Sequence, residues 1–244
     1  MNLNGWKRGY KNMLVLAIES SSHVAGAALV NEDKLIAECI LNRGLTHSEY
    51  LMTLIDNILT MGAVKVEDID IFGVSKGPGS FTGLRIGIAT IKGLAQSVDR
   101  PVVGVPTLDG LAYNVQYTHH LICPIMDARR GQVYTSLYEY KGSKMIRIDE
   151  YNALPIEEVL RKLVTKGRDV IFLGDAVGIY KNKIKDRMGE KALFAPAPFR
   201  EQRPSSIASL TIEIAHRGQV EDYRDIVPFY LRKSQAEQRR EEKF

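Results

Sequence analysis

Two carboxylates close strand-like runs, and the residues after each suggest different chemistry. Glu19 precedes Ser20-Ser21-Ser22, whose hydroxyls can donate hydrogen bonds, whereas Asp127 precedes Ala128-Arg129-Arg130. Between them lies Gly77-Pro78-Gly79-Ser80-Phe81-Thr82-Gly83-Leu84-Arg85-Ile86-Gly87. Glycine tolerates positive φ and close backbone approach, so such a turn at a helix start suits an anion held by free amides, or a tightly packed partner. No Gly-Lys-Ser/Thr follows at phosphate-loop spacing, and Thr82 stands where Gly-x-Gly-x-x-Gly requires glycine, so a plain strand-to-helix turn is an equal reading. His23, His47, His119, His120 and His216 include no pair four apart that would grip a metal from one helix face. Cys39 and Cys123 sit in apolar runs and form no CxxC pair, which marks them as reduced, packed thiols.

The elements that position these residues are legible from period and punctuation. Residues 14–18, 24–30 and 35–40 read as three strands of a meander. Apolar pairs Tyr50/Leu51, Leu54/Ile55 and Ile58/Leu59 give a helix over 46–61, with Thr46 as N-cap and Glu49 at the capping-box position. A strand over 69–75 leads through the glycine loop into a helix over 80–97; 102–105 is a buried strand and Thr107 starts a short helix. From Leu121 the pattern begins again. Setting Glu19 on Asp127 aligns 14–18 with 122–126 and 24–30 with 132–138, an internal repeat that implies two α/β halves around a cleft. Helices are expected over 156–164, 176–187 and 205–217, and a strand over 169–173.

At 244 residues, with 45% hydrophobic and 25% charged residues, the chain is long enough for two small domains, and its net charge of +4 neither demands nor forbids a nucleic-acid partner. No apolar run reaches the length of a membrane span and no signal-peptide core appears, so a cytoplasmic protein is expected. The expected organisation is a disordered leader over 1–12, a first lobe over 13–105, a second over 106–234 and a charged tail over 235–244; whether the 205–217 helix packs on the first lobe is left open.

Five motifs in this order resemble one family: 14–22 with Glu19-Ser20-Ser21-Ser22, His47-Ser48-Glu49, the loop 77–87, Met126-Asp127-Ala128-Arg129-Arg130-Gly131-Gln132-Val133-Tyr134, and Pro228-Phe229-Tyr230-Leu231-Arg232. Together they resemble the TsaB (YeaZ) family from about Met13 to about Glu237. The resemblance implies an actin-like fold of the sugar-kinase and heat-shock ATPase class, with two similar lobes, each a mixed sheet flanked by helices. It also implies a role in forming the threonylcarbamoyl group on adenosine 37 of tRNAs that read codons beginning with A. In that pathway the partner, a metal-containing TsaD-like transferase paralogue, carries the chemistry, and a small TsaE-like ATPase joins the assembly. Contact with tRNA is then indirect or weak, and a homodimer of the isolated chain is left open.

The resemblance places the paralogue's His-x-x-x-His pattern on Thr107-Leu108-Asp109-Gly110-Leu111, which removes both imidazoles and with them the metal. An actin-like phosphate site needs small residues after each strand-end acid. Arg129 and Arg130 break that rule, so Glu19, Ser20, Ser21, Gly77, Gly79 and Asp127 mark at most a residual nucleotide cleft, with no tightly bound cofactor and ATP or ADP left open for the complex. Gly83, Gly87, Thr90 and Leu94 form a helical stripe of small bulk, which serves close packing either inside the chain or against a partner; two glycines in a helix cost about 1 kcal/mol each and need such a reason. The resemblance favours the partner, with Tyr50, Leu54 and Asn57 of the first helix completing a helical-bundle interface. Arg129, Arg130, Arg232 and Lys233 read as scattered surface charge before they read as a tRNA contact. A non-catalytic scaffold is therefore expected, against two alternatives: an independent ATP-dependent phosphotransferase, and a peptidase acting on the partner.

Overall fold

The computed structural model describes residues 12–43 and 47–232. Residues 1–11 of the expected leader, the Thr46 cap, Lys233 and the charged tail lie outside the described residues. The first sheet comprises β1 (Val15–Glu19), β2 (Val24–Val30), β3 (Leu35–Asn42), β4 (Ile71–Gly77) and β5 (Val102–Pro106), ordered β3-β2-β1-β4-β5. β1, β2 and β3 pair antiparallel as a meander, while β4 and β5 add in parallel after crossover helices α1 (His47–Gly62) and α2 (Phe81–Val98).

The central strand divides its side chains between two helical layers, as the two-residue period requires. Leu16 and Ile18 join Leu51, Ile55 and Ile58 of α1 and Ile88, Ile91 and Ala95 of α2 in one core. Val15 and Ala17 join Ile207, Ala208, Leu210 and Ala215 of α7 (Pro204–His216), which follows the short α6 (Ala197–Arg200), in another. The late helix thus completes the first sheet's second face. Glu38 of β3 anchors the start of α7, accepting from the Ser205 amide at 3.0 Å and pairing with Arg203.

The second sheet follows the same plan. It is built from β6 (Leu121–Asp127), β7 (Gln132–Thr135), β10 (Asn152–Pro155), β11 (Val170–Leu173) and β12 (Ala192–Phe194), ordered β10-β7-β6-β11-β12. Again an antiparallel β6–β7 pair sits beside parallel β11 and β12, with α4 (Ile156–Lys166) and α5 (Ala176–Met188) in the crossovers. A side hairpin, β8 (Tyr138–Lys141) and β9 (Lys144–Arg147), pairs onto β6. Glu19 and Asp127 are the last residues of β1 and β6, so the internal repeat is real. It departs from the expected alignment at Ser136: β7 ends at Thr135 because Ser136 Oγ donates to Asp149 O at 2.8 Å and Leu137 O accepts from the Ile148 amide at 2.7 Å, drawing the chain toward β9. Two copies of one strand order, each with helices on its faces, constitute the actin-like α/β fold.

Between the sheets, α3 (Thr107–Ala112) buries Leu108, Leu111 and Ala112 against Ile122, Met126 and Tyr138 of the second half. Asp109 fastens it there, accepting from Tyr138 Oη at 2.7 Å and Tyr151 Oη at 2.8 Å.

Gly73 of β4 lies beside Ala17 and directly under Thr211 of α7, where a Cβ would collide with the Thr211 hydroxyl. Gly73→Ala is expected to cost about 1–3 kcal/mol by overpacking. A thermal melt should show the midpoint falling by roughly 2–4 °C for each kcal/mol lost.

Candidate functional site

β1 delivers Glu19 into a sealed pocket. Its Oε1 accepts from the Ser21 amide at 2.6 Å, the Ser21 hydroxyl at 2.5 Å and the Ser75 hydroxyl at 3.0 Å. Glu19, Ser20, Ser21 and Ser75 are all wholly buried. Desolvation pushes the Glu19 carboxyl above its ordinary value, against the lowering effect of the bonds from Ser21 and Ser75. Oε2 has no hydrogen-bond partner among the described residues. A carboxylate held this way serves packing and polar closure, not a solvent-borne ligand.

The glycine loop closes over that turn instead of opening outward. Gly77 has φ of +121°, and a Cβ there would strike the Phe229 carbonyl; a Cβ on Gly79 would strike the Ser21 carbonyl. The loop's amides are directed inward: Gly77 N donates to Thr107 Oγ1 at 3.1 Å, Ser80 N to Ser21 O at 2.6 Å and Gly83 N to the N-cap hydroxyl of Ser80 at 3.3 Å. Thr107, one of the two residues standing where the paralogue's metal-binding histidines are expected, is thus a buried acceptor for this loop, and Leu111 is core.

Residues 227–232 strap the loop from outside. The Phe229 amide donates to Lys76 O at 2.6 Å, and Tyr230 stacks on Phe81 with centroids 4.4 Å apart. Arg85 lies over the Phe81 ring and donates through Nε to Tyr230 Oη at 3.1 Å. Across the cleft, the Phe229 ring meets Tyr151 and the Arg232 guanidinium donates to Ala128 O at 2.8 Å.

The second acid is organised differently. Asp127 Oδ1 accepts from the Arg129 amide at 2.8 Å and its other oxygen pairs with the Arg129 guanidinium at 3.2 Å. Arg129, Arg130 and Gly131 are consecutive left-handed residues, so this turn wraps on Asp127 and the Arg129 guanidinium folds back onto it. The Asp127 amide donates to Asp175 Oδ1 at 2.9 Å. Burial raises the Asp175 carboxyl, opposed by that amide bond and reinforced by the Asp127 charge; burial, then the Asp175 charge, raises Glu201. Beside Glu201, Gln202 is buried and accepts from the Ser22 hydroxyl at 2.8 Å. The sequence alone does not point to Asp175, Glu201 or Gln202. They come from the β11–α5 turn and the approach to α7, and no local signal links those segments to Ser22 or Asp127. The fit to a nucleotide's phosphates is poor: the Gly77 and Ser80 amides and the Ser20 and Ser21 hydroxyls already bind protein groups, and Glu19 is closed off.

The helical stripe needs correction. Gly83 and Gly87 are buried, Ser20 Oγ donates to Gly83 O at 3.0 Å, and a Cβ on Gly87 would collide with that same hydroxyl. Both glycines bring α2 down onto the β1–β2 turn inside the chain, so they are not a partner surface. Thr90 is half-buried and Leu94, also half-buried, packs against the core. The exposed face of α2 is offset from that stripe and carries Thr82, Arg85, Ala89 and Gly93, with open space at the Gly93 Cβ position. On α1, Tyr50 and Asn57 are exposed, as is Met52 at 53%, whereas Leu54 is buried.

A family model described as "TsaD: tRNA N6-adenosine threonylcarbamoyltransferase" matches residues 41–239. The chain is 38% identical over 225 residues to the Bacillus subtilis tRNA threonylcarbamoyladenosine biosynthesis protein TsaB, covering 92% of this chain and 96% of that one. The chain belongs to the TsaB family. Similarity extends to the Escherichia coli TsaB, 30% identical over 62% of this chain and 65% of that protein. A Kosmotoga olearia tRNA N6-adenosine threonylcarbamoyltransferase is 32% identical over 41% of this chain and 35% of that enzyme. The fold matches YeaZ from Pseudomonas aeruginosa with a TM-score of 0.75 at 24% identity, covering 90% of this chain and all of that one. Among the described residues no helix is long and apolar enough to cross a membrane.

Two outcomes follow from this geometry. Because burial raises the Glu19 carboxyl in the folded state, its contribution to stability is full below the ordinary value of 4.5 and is lost as pH rises through the raised value. Glu19→Gln keeps the Oε1 acceptor and removes the buried charge; melts across pH should show it gaining on the order of 1 kcal/mol over wild type near neutrality, with the gain vanishing in acid. Gly87→Arg, placed against Ser20, is expected to abolish the folded state in circular dichroism, a loss of partner binding being secondary.

Proposed function

We propose that the chain acts in forming the threonylcarbamoyl group on adenosine 37 of tRNAs that read codons beginning with A, as the non-catalytic partner of a TsaD-like transferase. The observation that carries this reading is near full-length similarity to a protein named for that pathway, combined with a glycine loop whose amides are spent on Ser21 and Thr107. A site closed in this way supports a scaffold, with the group transfer residing in the paralogue. A tightly bound cofactor has no place in this reading; ATP or ADP belongs to the assembly, which a TsaE-like ATPase joins.

The partner-facing surface is the exposed side of the helical layer: Tyr50 and Asn57 of α1 with Thr82, Arg85, Ala89 and Gly93 of α2. Small residues at Ala89 and Gly93 let a helix approach closely, and the exposed Tyr50 of α1 supplies apolar contact area. The test is the mass of the complex formed when purified chain and transferase paralogue are mixed. A stoichiometric heteromer is expected, with ATP turnover by the chain alone far below about 1 per second. Ala89→Arg, at an exposed position, should melt like wild type yet weaken the heteromer by tenfold or more. Turnover in the ordinary enzyme range without the paralogue would instead favour the phosphotransferase, and an unaffected heteromer would move the interface elsewhere.

A further inference from the structure

The positive charge of the second half is concentrated in one segment. Residues 106–155 hold five Lys/Arg and five Asp/Glu, and residues 192–232 again five and five, whereas residues 156–191 hold nine against six. Residues 13–105 run the other way, with seven against ten. The basic segment is α4, β11, α5 and the short 3-10 turn Gly189–Lys191, so its cations gather on the outer helical layer of the second sheet.

The acids within that segment are largely committed. Glu157 pairs with Lys183, which ties α4 to α5, and Glu158 pairs with Lys162 at 4.0 Å. Asp169 faces His120 at 3.6 Å, and Asp175 is drawn into the cleft beside Asp127. Only Asp186 and Glu190 remain against Arg161, Lys166, Lys185 and Arg187, four exposed cations with no ion pair among the described residues. Lys181, also exposed, lies over the Phe194 ring at 5.5 Å. Lys166, Lys185 and Arg187 stand in the last turns of their helices, where the macrodipole favours a cation. That preference accounts for their sites but leaves their charge facing solvent, and it does not apply to Arg161 in the middle of α4.

We propose that the outer face of α4 and α5 docks the phosphate backbone of tRNA. This inference rests on the assignment to tRNA modification above and adds a contact surface to it. A run of cations on two adjoining helices, set against a first lobe of opposite sign, orients a polyanion toward the second lobe before any close contact forms. Such contacts position the RNA and carry no sequence information. Their role is to hold tRNA beside the assembly while base recognition occurs elsewhere.

The test uses the full chain and a fluorescein-labelled, unmodified transcript of a tRNA that reads codons beginning with A, with anisotropy followed from about 50 to about 200 mM salt. The triple variant Arg161→Gln/Lys185→Gln/Arg187→Gln should retain the wild-type circular dichroism spectrum and bind at least tenfold more weakly. The slope of log affinity against log salt should shrink by about 2–3. Lys34→Gln/Lys65→Gln, on the first lobe, should leave affinity and slope unchanged. No binding by wild type, or a triple variant with the wild-type slope, overturns the proposal. So does stronger binding to phosphatidylserine vesicles than to tRNA, which would reassign the face to a membrane. Heteromer mass separates the two levels: wild type that forms the heteromer without binding tRNA rejects this surface alone, wild type that does neither rejects the parent assignment, and a triple variant that binds tRNA weakly while keeping the heteromer supports the surface.

Discussion

The contact between the Ser20–Ser21 turn and the start of α2 organises the rest of the molecule. It requires three things at once: a hydroxyl at Ser20 to bond the Gly83 carbonyl, no Cβ at Gly87 where that hydroxyl passes, and no Cβ at Gly79 where the Ser21 carbonyl receives the Ser80 amide. With these met, the Gly77, Ser80 and Gly83 amides bond within the chain and Glu19 is shut in behind the loop. The same atoms would serve a phosphate if the loop stood open. Buried backbone groups must be paired, and the loop amides that bond this chain are not free for an anion.

The second half is closed by a different turn. In the second half Asp127 is wrapped by the left-handed Arg129–Arg130 turn and bonded through its amide to Asp175, so neither half presents an open cradle. What remains accessible is the outside: a helical layer on the first sheet with small and apolar exposed residues, and a basic helical layer on the second. The two faces differ in chemistry. The first suits a helix packed at close range, and the second suits a distributed polyanion.

The lobes are also bound together by segments far apart in sequence. α7 leaves the second half to complete the first sheet's core, and residues 227–232 then run back over the glycine loop to reach Ala128. Asp109 holds α3 to the second half through two tyrosines while Thr107 of the same helix holds the loop of the first. These ties make the cleft a packed seam.

Much of the framework was legible in the residues alone. Alternation and buried apolar runs identify the strands, glycines and Arg100-Pro101 mark the element ends, and the echo of 14–19 in 122–127 announces the duplicated α/β plan, because local period and turn chemistry act over a few residues. Motif order was likewise sufficient to indicate the family. The fate of the glycine loop was beyond local reading: whether its amides face a ligand or Ser21, and whether the small stripe at Gly83 and Gly87 faces a partner or Ser20, depends on which surface the β1–β2 turn occupies. The grouping of Asp175, Glu201 and Gln202 with Ser22 and Asp127 likewise arises only when α7 crosses between lobes. Tertiary packing decided these points because a glycine or a carboxylate carries no record in its own sequence of what will lie within contact distance.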